Sequence, residues 1–177
     1  IPGLAVGDYV DVYVEQQEDG RGQLVLSRRK AKLLRSWESI VDSFENGTII
    51  KGTVISKTKG GLIVDCSGLE TFLPGSQIDI KPIVDYDQYV GKTMEFKVVK
   101  INETIKNAVV SHKALIESDL KYAVNNLEYV APQIGRVTKG DAEALLGKAY
   151  LYQNKFAEAA TVLDNVINNG PYDLVLD

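Results

Sequence analysis

Residues 59–76 read KGGLIVDCSGLETFLPGS. After two glycines, apolar side chains alternate through Leu62, Val64 and Cys66, and a second short run ends at Pro74-Gly75-Ser76. Period two is the signature of strands with one buried face. Gly60 and Gly61 allow a tight turn and a sharp bend where a sheet curls, and Pro74-Gly75 ends the second strand. Three more strands lie around this pair. TIIKGTVISK precedes it, and TMEFKVVKIN and AVVSHK follow the irregular connection GSQIDIKPIVDYDQYVGK. Five short strands with one long connection between the third and fourth predict a small closed barrel over 47–116.

Upstream, Val10, Val12 and Val14 alternate with Asp11 and Tyr13, and the turn EDGRG separates them from QLVLSRR. Residues 1–30 therefore read as a hairpin. The period then changes: Leu33, Leu34, Trp37, Ile40, Val41 and Phe44 form one helical stripe, and Asn46-Gly47 stops it, so a linker helix is expected over 31–46. Downstream, residues 117–177 read as helical. Leu120, Ala123, Val124 and Leu127 follow a cap at Ser118, and Thr138 with Asp141 forms a capping box. An antiparallel helix pair follows, with Ala142, Ala149, Ala157 and Ala160 suited to close approach, and Gly170-Pro171 ends it. The fold class expected is α+β: a hairpin, a linker helix, a five-stranded barrel and a helical segment.

The net charge of −4 hides a gradient. Residues 1–45 carry 6 Lys+Arg against 8 Asp+Glu, residues 46–116 carry 9 against 7, and residues 117–177 carry 5 against 9. Only the barrel could turn a basic face to phosphate, and the acidic end argues against nucleic acid there. With one cysteine and one histidine, neither an internal disulfide nor a His/Cys metal cage can be written. Apolar runs stay far short of a membrane span, and the first residues lack the pattern of a signal peptide; a cytoplasmic setting is expected. No Ser-His-Asp arrangement, phosphate loop or dinucleotide glycine spacing is present, so neither an enzyme nor a cofactor is expected.

Two family resemblances can be read. VGDYVDVYVEQQEDGRGQLVLSRRKAK resembles the last two strands of a repeat of ribosomal protein S-one, the mRNA-recruiting family of the bacterial small subunit. WESIVDSFENG resembles its connecting helix, and GGL…FLPGSQ with EFKVVKI resembles the whole next repeat, an OB-type barrel. Residues 117–177, through GRVTKG, GKAYLY and VINNGPYDLV, are similar to the tetratricopeptide-like helices of SusD-like outer-membrane glycan-binding lipoproteins. The two together imply a chimera. The first implies RNA and the small ribosomal subunit as partners, with a degraded stacking face suited to the anchor-side repeats. The second implies glycan as the alternative.

Strong RNA-binding repeats of the first family carry two aromatics, a histidine, an acid and an arginine where this chain has Lys59, Leu62, Pro74, Asn102 and Val109. The resemblance thus implies weak, sequence-indifferent contact through lysines. Candidate RNA-binding residues are Lys57, Lys59, Phe72, Lys97, Lys100 and His112. Alternation places Lys97 and Lys100 on opposite faces. For Phe72 a core role outweighs stacking, for His112 a structural role outweighs phosphate contact, and Tyr86 and Tyr89 are read as a cover over the barrel end.

Overall fold

The computed structural model describes residues 5, 7–17, 20 and 22–172. Strands β1 (Tyr13–Gln16) and β2 (Val25–Ser27) pair antiparallel as a separate two-stranded sheet. Glu18, Asp19 and Arg21 of the expected turn lie outside the described residues. The buried face expected at Val10, Val12 and Val14 is not buried: they are 41%, 41% and 45% exposed. Two strands with a single helix for a neighbour cannot cover both faces.

Helix α1 (Arg28–Asn46) starts three residues before the expected position, because the Ser27 hydroxyl accepts from the Lys30 N–H at 3.2 Å and caps it. It ends as expected at Gly47, whose φ of 66° lets its N–H reach the Ser43 carbonyl. Trp37 and Ile40 are buried in the barrel core, with Leu33 and Val41 half-buried beside them, while Phe44 is left exposed. The Ser36 hydroxyl donates to the Ser67 carbonyl at 2.8 Å, pinning the helix to a barrel turn.

Strands β3 (Ile49–Thr58), β4 (Gly61–Cys66), β5 (Leu69–Pro74), β6 (Thr93–Asn102) and β7 (Asn107–Ser111) close in the order β3-β4-β5-β7-β6. This is the five-stranded OB-type barrel. Ser67 and Gly68, at φ 59° and 92°, join β4 to β5 in the two-residue hairpin turn whose twist matches the strands. Val54, Leu62, Val64, Leu73, Ile78, Phe96 and Val110 are fully buried inside. Ile83, Tyr86 and Tyr89 of the long connection pack half-buried against that core, the cover expected of the two tyrosines.

Two bulges interrupt the ladder, one between Val54 and Ser56 in β3 and one between Val98 and Lys100 in β6. Each adds a residue to one strand and resets which side chains face outward.

Helices α2 (Lys113–Asn126), α3 (Lys139–Tyr152) and α4 (Phe156–Asn169) follow. Ser118 is not a cap: α2 starts five residues earlier, where the Ser111 hydroxyl accepts from the Ala114 N–H at 2.9 Å. The Thr138–Asp141 capping box forms as expected. Leu146, Tyr150 and Ala159 make a second buried cluster, backed by Leu120, Val124 and Val162. Ala142, Ala149 and Ala159 are buried, but Ala157 and Ala160 face solvent. Gly147 contributes the close approach instead, since a Cβ there would come within 2.6 Å of Leu163.

Candidate nucleic-acid interface

Strand register assembles one row of side chains across the outside of the barrel. Ser56 pairs with Ile63, Ile63 with Phe72, Phe72 with Val109, and Val109 with Lys100. Each pair shares a face, because directly opposed residues of a ladder point the same way. Inner neighbours fix which face this is: Leu62, Val64, Leu73 and Val110 are fully buried, whereas Ile63, Phe72 and Val109 are half-buried and Lys100 is exposed. The row is therefore an apolar strip with an aromatic ring at its centre, a hydroxyl at one end and a cation at the other. Adjacent strands lie about 4.8 Å apart, so the Lys100 backbone sits roughly 10 Å from that of Phe72. That is within a side chain's reach of one nucleotide.

Phe72 does not join the core as expected. Leu73 takes the inner position, and Phe72 lies outside over the bare Gly61, where a Cβ would come within 2.9 Å of its ring. The lysine reading is also corrected. The β6 bulge keeps Lys97, paired with Ser111, and Lys100, paired with Val109, both on the outer side, not on opposite faces. Lys97 is half-buried and runs toward α1, its Nζ 3.9 Å from the position of a Cβ on Gly47. Its charge lies at the carbonyl end of that helix, a favourable place for a cation.

Lys57 and Lys59 diverge. The bulge in β3 pairs Lys57 with the buried Leu62, so it points to the barrel end, where its Nζ lies 2.6 Å from Asp87 Oδ1. The hydrogen bond to Asp87 raises the Lys57 pKa and keeps it charged, but that charge already has a carboxylate. Lys59 stands exposed in the turn between β3 and β4. His112 is half-buried, and its Nδ1 lies 2.9 Å from the Glu95 carbonyl. A carbonyl only accepts, so Nδ1 carries a proton and donates; the ring also meets Phe96 edge-on at 6.3 Å. This places His112 in packing, apart from the row.

Of the other positions singled out by resemblance, Leu62 is core and Val109 belongs to the row. Pro74 pairs with Gly61 one step along β5. Asn102 is used locally, its Oδ1 accepting from the N–H groups of Thr104 and Ile105 at 3.1 and 3.3 Å. Sequence reasoning passed over Ile63 and Ser56. The signal available was register, which needs the bulge position.

Among the described residues no group of three or more His, Cys, Asp or Glu side chains is placed to hold a metal ion, and no helix is long and apolar enough to cross a membrane.

The comparisons with known proteins bear on this same barrel. Residues 43–113 match the S1 RNA binding domain. The chain is 54% identical over 117 residues to small ribosomal subunit protein bS1 of Chlamydia trachomatis serovar D, covering 66% of this chain and 20% of that protein. It is 42% identical over 141 residues to the protein of the same name from Neisseria meningitidis serogroup B, covering 77% of this chain and 24% of the relative. The chain thus spans about a fifth to a quarter of the length of these relatives. Among solved structures, GSP13 from Bacillus subtilis aligns at a TM-score of 0.36 with 17% identity, covering 56% of this chain and 68% of that one.

Proposed function

We propose that residues 47–116 form a nonenzymatic RNA-binding repeat of the S1 type. Its parent protein acts in translation, in the cytoplasm, by recruiting mRNA to the small ribosomal subunit. The observation that carries this reading is the row Ser56–Ile63–Phe72–Val109–Lys100, set on the outside of a barrel that matches the S1 RNA binding domain. A half-exposed ring flanked by aliphatic side chains offers a base one stacking surface, and Lys100 with Lys59 offers the backbone two charges. One ring and two cations give weak, sequence-indifferent contact, as suits a repeat on the anchor side of the parent protein.

The test is a salt titration with a short pyrimidine-rich RNA. Two phosphate contacts give a slope of log affinity against log salt of about −1.4. A slope near zero, or affinity unchanged when Phe72 and Lys100 are replaced together, rejects the interface. Co-sedimentation of the chain with small subunits tests the ribosomal part separately. The glycan reading of residues 117–177 rests on resemblance alone, and binding to oligosaccharides decides it.

A further inference from the structure

The start of α2 meets the long barrel connection at a cleft of about 220 Å³ lined by Gly75, Ser76, Asp79, Lys81, Tyr86, Lys113 and Tyr152 among others. Lys113 is only 8% exposed. Its ammonium has three protons to donate, yet its sole hydrogen bond among the described residues is a long one, 3.5 Å to the Ser76 carbonyl. It forms no ion pair with a described carboxylate, although Asp79 and Glu117 are close enough to act on its charge. Glu117 is engaged by Lys121 at 2.7 Å and by Lys155 at 3.6 Å. Asp79 turns one oxygen back to the Ile80 N–H at 2.6 Å.

Lys113 is thus a largely buried residue whose ammonium lines a cleft with protons to spare, a place that suits an entering anion. The lining lysines, Lys113 and Lys81, outnumber the lining carboxylate, Asp79. The walls are fixed: the Tyr86 ring packs directly on the bare Cα of Gly75, and the Gln77 carbonyl accepts from the His112 N–H at 3.0 Å. Burial pushes the Lys113 pKa down, the neighbouring Lys155 charge adds to this, and Glu117 and Asp79 oppose it.

We infer that this cleft is an oxyanion site for a phosphate group, held by the ammonium of Lys113 with Lys81 at the rim. The site goes beyond the RNA row and does not require it. Lysine suits this role as a compact charge with several donors.

The test uses the full chain, labelled for amide NMR, titrated with inorganic phosphate against chloride at constant ionic strength. Phosphate is expected to shift the amides of 75–83, 113 and 152 together and saturably. It should also raise the melting temperature by roughly 3 °C at tenfold excess over its dissociation constant. Lys113→Met should abolish both effects, and Lys81→Ala should weaken binding several-fold. A tetrauridylate without a terminal phosphate that shifts the same amides assigns the site to backbone diesters; a response to inorganic phosphate alone assigns it to free phosphate or a monoester. No saturable shift at these amides with either probe, or an undiminished response in Lys113→Met, overturns the inference. Should that variant fail to fold, the wild-type amide map decides the matter by itself.

Discussion

Lys59, Lys57 and Phe72 lie within sixteen positions of one another in the sequence, and the barrel gives each a different neighbour. Lys57 already faces Asp87, so Lys57→Ala is expected to leave the salt slope of RNA binding unchanged. Lys59→Ala and Lys100→Ala are each expected to flatten it by about 0.7, measured by fluorescence anisotropy across a salt series. Phe72→Ala removes the stacking surface, worth roughly 1–3 kcal/mol per base, and affinity should fall about 5- to 150-fold. Its cost to folding should stay below that of a core truncation, because the ring is half-exposed. Phe72→Tyr keeps the ring and should bind as the parent does.

Glu117 is another residue whose role is set by its neighbours. Burial pushes its pKa up, but hydrogen bonds from Lys121 and Gln153 and the charges of Lys121 and Lys155 outweigh this, so the net shift is downward from 4.5. A carboxylate with a lowered folded pKa contributes stability that is complete above the unfolded value and is lost as pH falls through the folded one. The packing of α2 on the turn between α3 and α4 should therefore weaken as pH drops below about 4.5. Glu117→Gln should remove that part of the acid dependence, read from thermal melts between pH 3 and pH 6.

At the scale of elements, α1 and the β6 bulge carry most of the organisation. Trp37 joins the barrel core from α1 and is 8% exposed, so Trp37→Ala should cost roughly 3–5 kcal/mol in urea unfolding. A loss below about 1 kcal/mol would mean that the helix only spaces the hairpin from the barrel. Deleting Val99 removes the extra residue of the bulge. The pairs Val98–Val110, Lys100–Val109 and Ile101–Ala108 would then follow one another in a regular ladder, with Lys100 still outward and Ile101 still inward. Such a deletion should cost less than about 2 kcal/mol in urea unfolding, through the local twist alone, and Val99→Thr, at a position 40% exposed, should be nearly neutral.

At the scale of the whole molecule, the described residues form two buried clusters, one inside the barrel with α1 and one among α2, α3 and α4. Helix α2 runs unbroken through Glu117, where the strand-like and helical texts meet, and its first turn buries Lys113 and Leu115. We propose that the clusters melt separately, with α2 as their shared element. Calorimetry should resolve two transitions, Trp37→Ala lowering one and Leu146→Ala the other. A single transition displaced equally by both variants would show one cooperative unit.

Strand number, the long connection, the stripe of α1, its glycine stop and the Thr138 capping box were all legible in the sequence. Each depends on local periodicity or on the conformational limits of one residue type. The side of the barrel on which Lys100 falls, the outward turn of Phe72, the pairing of Lys57 with Asp87 and the burial of Lys113 were not. An extra residue in a strand leaves no mark in composition yet inverts every side chain beyond it, and a lysine reads as exposed until a cleft closes around it. Local sequence set the elements; register across five strands and the docking of α2 decided which side chains meet, because those contacts join residues 30 or more positions apart.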